Sequence, residues 1–169
     1  MCDLRAVSCA TLLQHILTNM DVKNKMIKMH IPRSLVDANR NLPDTKNPLS
    51  SQAWLNFNTR IVDVLEREIK QEIMLFDIHS FPKGSFKEAQ IAIIDIYHKE
   101  RPELKQFAQL IKKDLNINVQ VFNGAGNYIQ DRYQSYAYPV LIEFCEDKSY
   151  LTNADIKRFF DKLLEFYGI

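Results

Sequence analysis

The sequence predicts an α/β protein of three layers, with helices on both sides of a mixed, largely parallel sheet. Short, nearly continuous apolar runs such as "EIMLFDIH" and "QIAIIDIY" read as strands buried on both faces. Amphipathic stretches with a helical period alternate with those runs. The chain has 169 residues, of which 46% are apolar and 25% charged, which suits one domain around one core.

Residues 4–18 open the chain as a helix, since Leu4, Val7, Leu12, Leu13, Ile16 and Leu17 fall near helical spacing. "KMIKMHI" follows as a short strand, with Met26, Met29 and Ile31 in imperfect alternation. "PRSLVDANRNLPDTKNPLSS" is rich in Pro, Asn, Asp and Ser and reads as loop. A second helix starts near Ser50 or Ser51, either of which can cap it. Its apolar face is Trp54, Phe57, Ile61, Val64, Leu65 and Ile69. Two buried strands come next, "EIMLFDIH" and "QIAIIDIY". Pro102 then begins a helix that runs to about Leu115. "INVQVFN" alternates and "YPVLIEFC" is apolar, so both are strands. Thr152 and Asp155 have capping-box spacing and open the last helix, whose inner face is Ile156, Phe159, Phe160, Leu163 and Leu164.

The charges exclude some partners. With 22 basic and 21 acidic residues, the chain carries no electrostatic footprint for nucleic acid or for an anionic membrane. Cys2, Cys9 and Cys145 have no CxxC spacing, which gives neither a disulfide framework nor a zinc cluster. They suit a reducing compartment. Asp3, Arg5 and His15 interrupt the apolar start, so it is a poor secretory leader. No apolar run approaches the length of a membrane span. The expected location is cytoplasmic.

In sheets of this kind, ligands sit at the carboxyl ends of strands. His79 and Glu143 each lie near such an end. A neutral imidazole there suits zinc, with Asp77 or Ser80 to orient it, or it is a satisfied boundary histidine. Arg40, at the end of "DANR", either grips a carboxylate with two parallel bonds or pairs with Asp37 or Asp44. Glu143, between Ile142 and Phe144, either serves in proton transfer or forms a structural ion pair with an arginine.

"RSLVDANRN", "FDIHSFP", "GNYIQDRY" and "PVLIEF", in this order, resemble the N-formylglutamate amidohydrolase family over roughly residues 30–150. That family is similar in fold and chemistry to zinc carboxypeptidases, a phosphorylase/hydrolase-like architecture. The resemblance implies one domain over residues 1–169 and a metal-dependent amidohydrolase. The substrate would be an N-acyl amino acid or another small amide that carries a carboxylate. His79 becomes a zinc ligand, with Asp3 as a weak second. Asn39 and Arg40 hold the substrate carboxylate, Arg33 adds charge, and Tyr128 lines the pocket. Glu143 becomes the general base and then the acid that protonates the leaving nitrogen.

The chain also departs from the family. The resemblance implies that it begins after the family's first strand, without the histidine of a Ser-x-Pro-His-Gly-like motif. Asn127 stands where a glycine is usual. The spacing of His30 and His98 does not mark either as a replacement ligand. The expectation is therefore an under-coordinated zinc site, with a non-catalytic binder of a carboxylate ligand or a protein partner as the alternative.

Overall fold

A computed structural model describes residues 4–28, 48–68, 73–96, 101–124 and 128–169. Helix α1 spans Leu4–Asn19 and α2 spans Pro48–Arg67. Strands β1 (Met74–Phe81) and β2 (Ile91–Ile96) follow, then α3 (Pro102–Leu115) and β3 (Val119–Gly124). Helix α4 (Tyr128–Tyr133), strand β4 (Tyr138–Cys145) and helix α5 (Asn153–Tyr167) complete the order.

The strands form one sheet in the order β1-β4-β2-β3. β1 is parallel to β4, β2 is parallel to β3, and the two pairs join through an antiparallel contact between β2 and β4. The sheet is mixed, and two of its three pairings are parallel, as its apolar strands predict.

Alternation along each strand sends successive side chains to opposite faces. One face carries Phe76 and Ile78 of β1, Val140, Ile142 and Phe144 of β4, Ile91 and Ile93 of β2, and Val119 of β3. Onto it pack Leu13 and Ile16 of α1, Phe107 and Ile111 of α3, and Phe159, Phe160 and Leu163 of α5. On the other face a smaller cluster joins Ile61 and Leu65 of α2 to Ile129 and Tyr133 of α4, and Leu75 of β1 packs against it. Tyr133 donates to the Asn58 side-chain oxygen across 2.9 Å, tying the two helices.

Local chemistry accounts for the helix ends. In α5 the Thr152 hydroxyl accepts from the Asp155 backbone N–H, and the Asp155 carboxylate accepts from that of Thr152. Gly168, with φ of 73°, takes the left-handed position that ends the helix. Pro102 opens α3, and Asn116 closes it in the same left-handed region. Helix α2 begins at Pro48, before the expected Ser50 or Ser51, because a proline is at ease in a first helical turn. Ser50 is a buried residue inside the helix instead.

The expected strand over "KMIKMHI" is absent from its described part. Residues 22–28 are irregular, and Ile27 packs against the smaller cluster without joining the sheet. The rest of that segment, and the loop through residue 47, lie outside the described residues. Helix α4 was not expected, since six residues are too few for a periodic signal.

Candidate functional site

Parallel pairing of β1 with β4 sets His79 directly beside Glu143. Neighbouring strands lie about 4.8 Å apart, and residues in register face the same side of a sheet. Both side chains therefore belong to the face opposite the large core. Their immediate neighbours Ile78 and Ile142 point the other way, and Ile142 is fully buried there. That anchoring fixes the rotation of both strands, and the facing of His79 and Glu143 with it.

Asp77 is two residues before His79 and shares its face. Its Oδ1 lies 2.9 Å from His79 Nε2, with side-chain exposures of 11% and 17%. The pair is thus largely withdrawn from water but open on one side. Of the two residues expected to orient His79, Asp77 is the one in contact. Ser80 faces away, and its hydroxyl donates to Glu146 Oε1 at 3.0 Å.

Across β4, Glu143 pairs with Ala92 of β2. The small, fully buried alanine leaves the floor beside the carboxylate low. Phe81 and Phe122 share this face by alternation, and Phe86, in the loop after β1, contacts both rings at centroid distances of 4.8 and 5.0 Å. Sequence reasoning did not find this aromatic group, because Phe86 lies in a turn with no period.

Arg101, buried near the start of β4, is committed to Asp95. Its Nε donates to Asp95 Oδ1 at 2.7 Å, its backbone N–H to Asp95 Oδ2 at 3.1 Å, and its Nη1 to the Pro139 carbonyl at 2.7 Å. This network sits at the opposite end of the sheet from His79. There, burial and a hydrogen bond to Glu103 push the Tyr138 hydroxyl well above the usual tyrosine range.

Of the other expected site residues, Asp3, Arg33, Asn39 and Arg40 lie outside the described residues, as do His30, His98 and Asn127. Tyr128 opens α4, the helix on the same side of the sheet as His79. Among the described residues, no group of three or more His, Cys, Asp or Glu side chains is placed to hold a metal ion. A catalytic zinc takes about three protein ligands, so the described residues do not fit one.

A three-layer α/β fold with polar side chains at the carboxyl ends of two adjacent parallel strands defines the class. The same fold occurs in "the crystal structure of gene product Atu2144 from Agrobacterium tumefaciens", with a TM-score of 0.55 and 16% identity. The match covers 80% of this chain and 66% of that one, so this chain spans just under two thirds of that protein's length. No family model and no curated protein matches the sequence. Among the described residues, no helix is long and apolar enough to cross a membrane.

Proposed function

We propose that the chain is an amidohydrolase of the N-formylglutamate amidohydrolase type, acting on an N-acyl amino acid or a small amide with a free carboxylate. The observation that carries this reading is the register of His79 with Glu143, with Asp77 bonded behind the histidine. A carboxylate and an imidazole side by side, partly withdrawn from water, are equipped for proton transfer. In this reading Glu143 takes a proton from the attacking water and returns it to the leaving nitrogen. His79 holds the water or the carbonyl by a hydrogen bond. Arg33, Asn39 and Arg40 grip the substrate carboxylate, as the family resemblance implies.

The test is release of free amino acid from a panel of N-acyl amino acids, with and without added zinc. The wild-type chain should turn over at least one of them. Glu143→Gln should lose at least about 100-fold in kcat, the usual worth of a positioned acid/base group. No turnover under either condition would overturn the reading. It would favour a second one. In that case the chain is a non-catalytic member of the fold that binds a carboxylate ligand. Arg40→Lys should then weaken binding in calorimetry, because an ammonium cannot reproduce the planar fork.

A further inference from the structure

We infer that the outer edge of β3 is a docking site for an extended acidic segment of a partner protein, which adds to the sheet as a further strand beside the lysines of α3. The site is separate from the proposed reaction, because β3 and β1 are the two opposite edges of the sheet.

The backbone of β3 is open to such a partner. The strand pairs only with β2, and the register runs unbroken from Ile91 with Val119 to Ile96 with Gly124. No bulge therefore turns the edge away. An edge strand presents a row of outward N–H and C=O groups. Among the described residues, no backbone hydrogen bond reaches residues 120–124 from outside the pairing with β2. The strand reads Val-Gln-Val-Phe-Asn-Gly, without the proline or the charge that commonly closes an edge to pairing.

Helix α3 stands over this edge, and its contacts tell its flanks apart. Leu104, Phe107, Ala108 and Ile111 are its buried residues. Phe107 meets Phe159 and Phe166 of α5, with centroids at 5.5 and 5.1 Å, and Glu103 accepts from Tyr138 of β4. Asp114 acts on Lys162 of α5. Both acids of the helix thus belong to the flank beside α5. At about 3.6 residues per turn, Lys105, Gln109 and Lys112 fall on the opposite flank, turned toward the free edge of β3. All three are exposed, and neither lysine forms an ion pair among the described residues.

The charge selects the occupant. Antiparallel pairing of β3 with a second copy keeps like faces on one side. It would set lysine flank against lysine flank, which is repulsive. An acidic segment meets the same lysines favourably. With a rise of about 1.5 Å per residue, Lys105 and Lys112 stand about 10 Å apart along α3. Side chains on one face of a strand recur about every 6.6 Å, so acids at alternate positions reach both. The positions between them lie on the other face, beside Phe122, whose ring already packs on Phe86. Apolar side chains suit that face. The partner segment therefore alternates acidic and apolar residues over the length of β3. Its main chain would supply affinity and its side chains specificity.

The probe is a blocked peptide of that length in which glutamate and valine alternate, titrated into the full chain labelled with nitrogen-15. At about 1 mM peptide, where a millimolar Kd still registers, the amide signals of residues 120–124 should shift and their hydrogen exchange should slow. A lysine–valine peptide should bind at least about tenfold more weakly, because like charges then face each other. The glutamate peptide should lose as much on a chain carrying Lys105→Glu and Lys112→Glu. Both lysines are exposed, so that chain should keep the wild-type urea midpoint. Full N-methylation of the glutamate peptide removes its backbone donors and should abolish binding. No response at residues 120–124, equal affinity for the two peptides, or undiminished binding of the methylated peptide would overturn the inference. So would slow exchange at these residues that needs no peptide and grows with protein concentration, since the occupant would then be a second copy.

Discussion

The two faces of the sheet are built from the same strands and do different work. On one face of β4, Val140, Ile142 and Phe144 are fully buried under α1, α3 and α5. On the other, Leu141 and Glu143 alternate with them, and Glu143 is only half-buried. β1 repeats the division, with Phe76 and Ile78 on the core side and Asp77 and His79 on the other. The helices follow suit. Three of them pack a large cluster on the first face, while α2 and α4 make a small one on the second. Stability and chemistry are thus separated by a single residue step, which is what a period of two allows. A residue on the first face should govern folding, and one on the second should govern ligand handling.

The largest effect should come from the core side. Phe160 is fully buried and packs edge-on against Phe144 and Phe159, with centroids at 5.4 and 5.7 Å. Phe160→Ala removes a ring and leaves a cavity, at a cost of about 3–5 kcal/mol. The urea midpoint should fall steeply while the slope stays the same. An unchanged midpoint would mean that the first face does not hold the fold.

A smaller effect should come from the second face, where β3 approaches β2 closely. A Cβ on Gly124 would overlap Cγ2 of Ile94, a side chain on the Glu143 side of the sheet. Gly124→Ala should cost about 1–3 kcal/mol by overpacking. Ile94→Ala in the same chain should relieve part of that cost, read as non-additive midpoints in a double-mutant cycle. Additive losses would show that the crowding lies elsewhere.

The capping box of α5 tests the core side through pH. Hydrogen bonds from Thr152 come first among the causes that hold the Asp155 carboxyl below its ordinary value. A carboxyl with a depressed folded value binds its proton more weakly in the native state. Its contribution is therefore full above about pH 4 and is lost as pH falls through the folded value. Asp155→Ala should cost about 1 kcal/mol near neutrality and less in acid. Thermal melts at neutral and acid pH read the difference, and a loss that grows in acid would contradict it.

Much of this division was legible in the sequence. β4 matches its apolar run over Tyr138–Cys145, and α3 its proline and its period over Pro102–Leu115. These segments carry their own periodicity, so a local reading suffices. The Thr152 and Asp155 capping box was equally local. What failed was non-local. "KMIKMHI" has β-like residues, but no partner strand pairs residues 22–28, and propensity alone cannot supply one. The reach of Arg101 to the Pro139 carbonyl, and the meeting of Phe86 with Phe122, join residues that no short window spans. His79 and Glu143 lay between these cases. Their strand-end positions were visible, but their register needed β4 to insert between β1 and β2.

The smallest expected change in stability belongs to Glu143, and it is the sharpest test of the two faces. Ile142 and Glu143 are consecutive on β4 and point to opposite sides. Ile142→Ala should cost about 2–5 kcal/mol, because the side chain is fully buried in the core. Glu143→Gln keeps the size of the side chain and most of its hydrogen-bonding ability. The group is half-buried on the second face, so the substitution should move stability by no more than about 0.5 kcal/mol. Yet in the proposed reaction it removes the group that carries the proton. The expected outcome is a crossed pattern, in which one neighbour changes the urea midpoint and the other changes only turnover or ligand binding. A large stability loss in Glu143→Gln, comparable to that in Ile142→Ala, would break the comparison. It would make Glu143 a structural partner of the fold, and the second face a minor core instead of a site.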